Sequence, residues 1–207
     1  MDGNRELILA SGSPRRHEIL AQAGIGHRIL TAPADETSVV FHPGDPEGYV
    51  MRLAALKNDA VRDAYGAQLG HAVILSADTV VWSPDMQAPL GKPGNEETAA
   101  RMLRFLSGRT HEVITGVMLR DTETGKEILF AETTEVLFRT LDEEEILRYV
   151  RSGDPLDKAG AYGIQSGACI FVKAIRGDYF NVVGLPVCRV AEELKALHNG
   201  HVMQAKG

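Results

Sequence analysis

The sequence predicts an α/β fold, a mixed twisted sheet flanked by helices. Three observations carry that reading. The first 31 residues run strand, helix, strand, the pattern of a parallel βαβ unit. Two long apolar stretches in the middle, 112–120 and 127–138, are joined by the turn Asp121-Thr122-Glu123-Thr124-Gly125 and read as an antiparallel hairpin. Elsewhere strand and helix patterns alternate, with no internal repeat and no low-complexity tract. A parallel start and an antiparallel centre together make a mixed sheet.

The elements follow in order. Residues 7–10, Leu-Ile-Leu-Ala, read as a buried strand. Residues 14–23 read as a helix with Pro14 at its first position and Gly24 just past its end. Residues 28–31 make a short second strand. Asp45-Pro46-Glu47 starts a helix that runs to about Tyr65, and 71–82 form a long buried strand. Asn95 caps a third helix, with Ala99, Met102, Leu103 and Leu106 on one face and Gly108 at its end. After the hairpin, Thr140-Leu141-Asp142-Glu143 matches a capping box, opening a helix that stops near Gly153. A glycine-rich loop spans 154–167. Two more strands are expected around 170–172 and over 179–183, then a last helix over 186–197 ended by Asn199-Gly200. No stretch reads as an interdomain linker, so 1–207 is expected to form one domain, with 201–207 a frayed polar tail.

Composition narrows the function. With 207 residues, 44% apolar and 24% charged, the chain can bury a core without covalent staples. No apolar run approaches the roughly 20 residues of a membrane span, and the N-terminus lacks a basic start and apolar stretch. Cys169 and Cys188 show no CxxC spacing, so a reducing, cytoplasmic setting fits, with both expected as small buried hydrophobes. A net charge of −6 disfavours nucleic acid as a partner but permits a small anion wherever basic residues converge.

Five places could supply that convergence. In Ser13-Pro14-Arg15-Arg16, Ser13 can cap the helix and Pro14 suits its start. Two arginines in a first turn oppose the helix dipole unless an anion binds there; the alternative is a solvated helix end. Asp78 lies inside an apolar strand, where a carboxylate is costly unless paired or bound to a metal; this favours a functional role over a loop-capping one. Alternation puts Ser76, Asp78 and Val80 on one face. Lys57 falls on the apolar face of its helix between Leu53 and Val61, where it either snorkels, the commoner outcome, or meets an anion. Gly91-Lys92-Pro93 is a short basic turn that by itself reads as plain surface. In 157–165, glycines permit close backbone approach to a ligand, and Gln165 can both donate and accept, as the imide edge of uracil or thymine requires; the alternative is a flexible loop. There is no GxxxxGK[ST], GxGxxG or HExxH, His198 and His201 read as surface residues, and neither Ser13 nor Ser76 has a histidine placed to activate it.

Taken in order, these segments resemble the Maf family of nucleotide pyrophosphatases. The matching stretches are Leu9-Ala10-Ser11-Gly12-Ser13-Pro14-Arg15-Arg16, Ala77-Asp78-Thr79-Val80-Val81, Gly91-Lys92-Pro93, and Ser107-Gly108-Arg109-Thr110-His111 with Thr115-Gly116-Val117. They continue through 157–165, Gly177-Asp178-Tyr179 and Val183-Gly184-Leu185-Pro186. The resemblance implies two lobes around a central cleft, and hydrolysis of a nucleoside triphosphate to monophosphate and pyrophosphate with a divalent cation, Mg²⁺ or Mn²⁺. It implies Asp78 as the catalytic acidic residue and Arg15, Thr79 and Gln165 as specificity positions. It also implies Ser11, Arg15, Arg16, Lys57 and Lys92 around the phosphates, and Glu36 beside Asp78 at the cation. The 157–165 loop resembles the branch that takes dTTP and UTP, with clearance of non-standard pyrimidine nucleotides as the implied role. Two departures stand out: Ser166-Gly167-Ala168, where relatives often show Gly-x-Gly, and Asn58, where a small residue is common. Three alternatives stay open: other modified nucleotides as substrates, a non-catalytic nucleotide-binding regulator of cell division, and a homodimer as the working form.

Overall fold

The structure, a computed structural model, describes residues 5–202, with side chains described through Leu197. Its centre is one six-stranded mixed sheet in the order β2-β1-β3-β4-β5-β6. β1 (Glu6–Leu9), α1 (Pro14–Gln22) and β2 (Arg28–Ile29) form the expected parallel unit, and α2 (Pro46–Tyr65) carries the chain back across β1 to β3 (Ala72–Trp82), again parallel to β1. α3 (Glu96–Leu106) leads to the long hairpin of β4 (Thr110–Asp121) and β5 (Glu127–Phe138). α4 (Glu143–Arg151), three short 3₁₀ turns, the edge strand β6 (Val172–Arg176), α5 (Tyr179–Val183) and α6 (Val187–Val202) complete the chain.

β1 and β3 differ in length, and this positions the cleft. β1 pairs with β3 only from Glu6↔Ala72 to Leu9↔Leu75, then turns away, while β3 runs on to Trp82. The bridge Val81↔Leu90 closes the far end. Among the described residues, no strand pairs with 76–80 on that side. This gap opens at the carboxyl end of β1, where α1 leads to a neighbour on one side and α2 to a neighbour on the other. Open α/β sheets place their ligand crevices at such switch points.

Alternation along β3 divides the core. Val73, Leu75 and Ala77 pack with Leu9, Ile19 and Val190 beneath α1 and α6. Ile74 packs with Ile8 and Val61 beneath α2. Beyond the gap, Val81 and Val113 join Leu103, Phe138 and Phe171 in a second mass around α3 and α4. These two masses flank the cleft, each buried aliphatic or aromatic side chain contributing about 1.5–3 kcal/mol. α2 lies very close to the sheet because Gly116 has no side chain: a Cβ there would stand 2.3 Å from the backbone C and O of Val50.

Several sequence expectations are corrected. The segment 179–183 is a helical turn rather than a strand: Asp178 caps it by accepting from the Phe180 N–H at 2.7 Å. The Asn181 amide donates to the carbonyls of Val113 (3.0 Å) and Glu132 (3.1 Å), fixing the turn to the sheet face. The last sheet strand is Val172–Arg176, and Ile170 and Phe171 sit in a 3₁₀ turn. The capping box of α4 uses Asp142 and Glu145, two residues further on than Thr140 and Glu143. α6 passes through Asn199-Gly200 to Val202, so 201 and 202 are helical; the remaining expected tail, 203–207, and the side chains of His198 and His201 lie outside the described residues. Cys169 and Cys188 are both exposed, because each falls on the outer face of its turn or helix.

Replacing Gly116 by alanine should destabilise the protein by about 1–3 kcal/mol, since backbone must move to admit the methyl group. A lower urea midpoint at unchanged m-value in equilibrium unfolding is the expected result.

Candidate active site

The cleft has a volume of about 1060 Å³, and every residue singled out from the sequence as a site candidate lines it. Ser11, Arg15 and Arg16 come from the end of β1 and the start of α1, and Glu36 from a 3₁₀ turn. Lys57 projects from α2, Asp78 and Thr79 from β3, Lys92 from the turn after it, and Gln165 from the glycine-rich segment. Among these lining residues five are cationic (Arg15, Arg16, Lys57, Lys92, Lys158) and four acidic (Glu36, Asp78, Asp154, Asp157), so the cleft is locally positive on a chain of net charge −6. That balance suits a small anion more than a cation.

Lys57 meets anions rather than snorkelling. Its ammonium bonds the Asp78 carboxylate and stands 3.2 Å from Glu36 Oε1. Asp78 is the more enclosed of the two acids, its side chain 15% exposed against 52% for Glu36. The next residue explains the placement of Lys57. Asn58, fully buried, donates through its amide to the carbonyl of Ile74 (3.0 Å) and to Ser76 Oγ (3.1 Å), tying α2 to β3 beside Asp78. Tyr49, two turns before Lys57 on the same helix face, also lines the cleft. Burial raises its phenol pKa, and Asp78 and Glu36 raise it further. Helical spacing from Lys57 was the signal that could have found Tyr49 in the sequence.

The α1 start holds one surprise. Ser13 was expected to cap the helix, yet its side chain makes no cap bond; its own N–H donates instead to Ser11 Oγ at 3.2 Å. The first-turn N–H groups are left free of a side-chain cap, as an anion site requires. The two arginines part company. Arg15 reaches across the cleft to Asp157 at 3.4 Å, its side chain 29% exposed. Arg16 is turned inward and buried. Its Nε donates to the Gly184 carbonyl at 2.8 Å, one terminal nitrogen to Ser11 Oγ at 3.0 Å and the other to Thr79 Oγ1 at 3.1 Å. Burial lowers its pKa, opposed by the nearby Asp78. All three partners are neutral, so this buried cation has hydrogen bonds but, among the described residues, no counter-ion in contact.

The segment carrying Gln165 is anchored from beneath. Gly160 has φ 67° and packs so tightly on Val81 that a Cβ would lie 2.6 Å from Val81 Cγ2; Ala161 follows at φ 61°. A non-glycine residue there costs energy that surrounding contacts must offset. Tyr162 supplies one such contact, its hydroxyl 2.9 Å from His111 Nε2 in a cluster of edge-on rings with Phe138. Lys158 supplies another, donating to the Asp154 carbonyl at 2.6 Å and to Asp157 Oδ1 at 2.8 Å. The Tyr162 role does not show in the sequence, since it and His111 are 51 residues apart.

Residues 6–197 match the family model described as Maf-like protein. The chain belongs to the Maf family. Among relatives of this Maf chain, a protein named dTTP/UTP pyrophosphatase from Geobacillus sp. is 48% identical over 193 residues, spanning 93% of this chain and 98% of its own length. One of the same name from Bacillus mycoides is 49% identical over 191 residues, spanning 92% and 95%. Among solved structures, a nucleoside-triphosphatase / dITP/XTP pyrophosphatase from Mycobacterium abscessus aligns over 98% of each chain with 14% identity and a TM-score of 0.37, a likeness too distant to carry an argument. No helix among the described residues is long and apolar enough to cross a membrane.

Burial pulls the His111 pKa from 6.5 down to about 4, so the imidazole is neutral in the folded protein where the unfolded chain would already bind a proton. The unfolded state thus binds more protons between about pH 4 and 6.5, and stability rises with pH across that window. The contribution is on the order of 3 kcal/mol. In His111→Phe, the urea-derived stability should climb less steeply between those pH values, and the two proteins should run parallel above pH 7.

Proposed function

We propose that this Maf chain is a nucleoside triphosphate pyrophosphatase acting on dTTP and UTP. The observation that carries this reading is the convergence of Lys57, Asp78 and Glu36 beside an uncapped helix start in a locally positive cleft. The names of relatives close to half identical along nearly the whole chain support the substrate class.

The phosphates lie against the first turn of α1, with Arg15 and Lys92 as direct partners and Ser11 beside them; guanidinium and ammonium groups both suit phosphate oxygens. Arg15 exchanges Asp157 for phosphate. Arg16 acts through its charge and by holding Ser11, Thr79 and Gly184 in place. Lys57 holds the Asp78 carboxylate and stabilises charge that develops on the α-phosphate. Asp78 accepts a proton from a water whose oxygen bonds to the α-phosphorus as the bond to the bridging oxygen breaks, releasing pyrophosphate. Gln165, Thr79 and Arg15 select the base.

The residues present fit a divalent cation. Asp78 and Glu36 both reach one ammonium, so two carboxylates converge on a single cation-binding point. Among the described residues there is no cluster of three or more His, Cys, Asp or Glu that would cage a metal. Mg²⁺ commonly binds through one or two carboxylates completed by substrate phosphates. Asp78 and Glu36 would hold Mg²⁺ or Mn²⁺ in this way, and the ion, when bound, neutralises charge on the phosphate oxygens. We take residues 1–207 as one catalytic domain, working in the cytoplasm on free nucleotide rather than nucleic acid, singly or as a homodimer.

Incubation with each nucleoside triphosphate and Mg²⁺, with product identification, tests the reading. Pyrophosphate and monophosphate from dTTP and UTP are expected; orthophosphate would mean attack at a different phosphorus, and no turnover would leave a binding protein. Asp78→Asn should lower kcat by about 10²–10⁴-fold while nucleotide binding persists. Unchanged turnover in that variant would remove Asp78 from the reaction.

A further inference from the structure

His17 and His27 stand outside the cleft and take no part in the proposed reaction. His17 is exposed on α1, and His27 is half-buried in the connection between α1 and β2. Their rings meet edge to face with centroids 5.0 Å apart, and His17 Nδ1 lies 2.8 Å from His27 Nε2. The other nitrogen of His27, Nδ1, lies 2.8 Å from the Ile25 carbonyl. A carbonyl only accepts, so Nδ1 carries the hydrogen, and Nε2 of the neutral ring presents its lone pair to His17. The Ile25 peptide is itself fixed, because its N–H donates to the Leu20 carbonyl of α1 at 2.9 Å. The helix, Ile25 and His27 thus form a closed set of bonds that aims one lone pair at one exposed imidazole. The adjacent cations are turned elsewhere: Arg16 bonds the Gly184 carbonyl and Arg28 bonds Glu6.

We infer that His17 Nδ1 and His27 Nε2 form a binding site for one divalent transition-metal ion of the zinc class. An imidazole that donates to a backbone carbonyl through one nitrogen is oriented, and made more basic, as a metal ligand through the other. In the hydrogen-bonded pair His17 Nδ1 holds the hydrogen between the rings. On metal binding that hydrogen moves to Nε2 of His17, no net proton is released, and both lone pairs close on the ion. Tetrahedral Zn–N bonds of about 2.0–2.1 Å set two nitrogens about 3.3 Å apart, so the rings open by only about 0.5 Å, a small turn for the exposed His17. No third His, Cys, Asp or Glu joins the pair among the described residues, and water completes the coordination. Imidazole suits Zn²⁺, Ni²⁺ and Cu²⁺, whereas Mg²⁺ and Mn²⁺ suit the carboxylates of the cleft. The bound ion braces α1, whose first turn carries Arg15 and Arg16, against the connection to β2.

Zn²⁺ alone, titrated calorimetrically into the untagged full chain, tests this. Wild type should bind a Zn²⁺ ion that His17→Ala and His27→Ala each bind at least about tenfold more weakly, since loss of even an outer-shell partner costs that much. Asp78→Asn should keep this ion, which separates the site from the cleft. Cu²⁺ in place of Zn²⁺ should give an electron paramagnetic resonance spectrum with two nitrogen ligands, and with at most one in either alanine variant. Each alanine variant also loses the hydrogen bond between the rings, and that loss lowers the melting temperature with or without metal. The rise in melting temperature on adding Zn²⁺ reports the site itself, and wild type should show it where the alanine variants do not. Wild type that binds Zn²⁺ no more tightly than the alanine variants overturns the inference. So does a Zn²⁺ ion lost in Asp78→Asn but kept in the alanine variants, or copper bound without nitrogen.

Discussion

A four-residue strand beside an eleven-residue strand is the constraint on which the rest depends. Backbone N–H and C=O groups inside a sheet require partners. Where β1 ends at Leu9, the neighbouring edge of β3 has lost its strand and has not yet reached the bridge at Val81. The chain fills the space with side chains and helix ends from four other segments instead of a strand. α1 starts on one side of the gap, α2 crosses the other, α5 lies beneath and the 157–165 segment overhangs it. Asp78 and Thr79 stand in that gap with their side chains on opposite faces of one strand, so one short stretch serves two chemistries: charge on the α2 side, neutral hydrogen bonding on the Arg16 side.

The two faces are held by different physics. On the α2 side, Lys57 shares its charge between Asp78 and Glu36, and Asn58 fixes the helix by hydrogen bonds to the sheet. On the other side, Arg16 is buried among neutral oxygens from Ser11, Thr79 and Gly184. A buried cation without a contacting counter-ion is costly. Its hydrogen bonds offset part of that cost, and a bound anion would offset more, so the proposed triphosphate and the folded protein stabilise one another. The same guanidinium joins Ser11 at the end of β1 to Thr79 on β3, which makes Arg16 a mechanical link as well as a charge.

Much of the architecture was legible because it rests on local signals. Proline at position 14 and at position 46 marks two helix starts, and the turn after Asp121 marks a hairpin; the structure has all three. The failures share a cause. Residues 179–183, Tyr-Phe-Asn-Val-Val, have the aromatic and β-branched content of a strand, but Asn181 is drawn onto the carbonyls of Val113 and Glu132, and tertiary bonding overrides propensity. The α4 capping box slipped because Asp142 competes with Thr140 for the same role, and only the actual first turn decides between them. Ser13 makes no cap bond, and its N–H donates to Ser11 Oγ, which also accepts from Arg16.

The sequence by itself determined which residues could do chemistry: a carboxylate within an apolar strand, a lysine on an apolar helix face, arginines at a helix start, a glutamine in a glycine-rich loop. Those are statements about cost, and cost is local. It also determined the family, through the order of short motifs that the family model matches over 6–197. Only the tertiary structure decided how each cost is met. It turned Lys57 toward two acids instead of solvent, separated Arg15 from Arg16 into an exposed partner and a buried hub, and set the Thr79 hydroxyl against Thr115 from the neighbouring strand. The reason is distance along the chain: the partners are 21, 36 and 168 residues apart, and no local pattern reports which of many distant groups will stand 3 Å away.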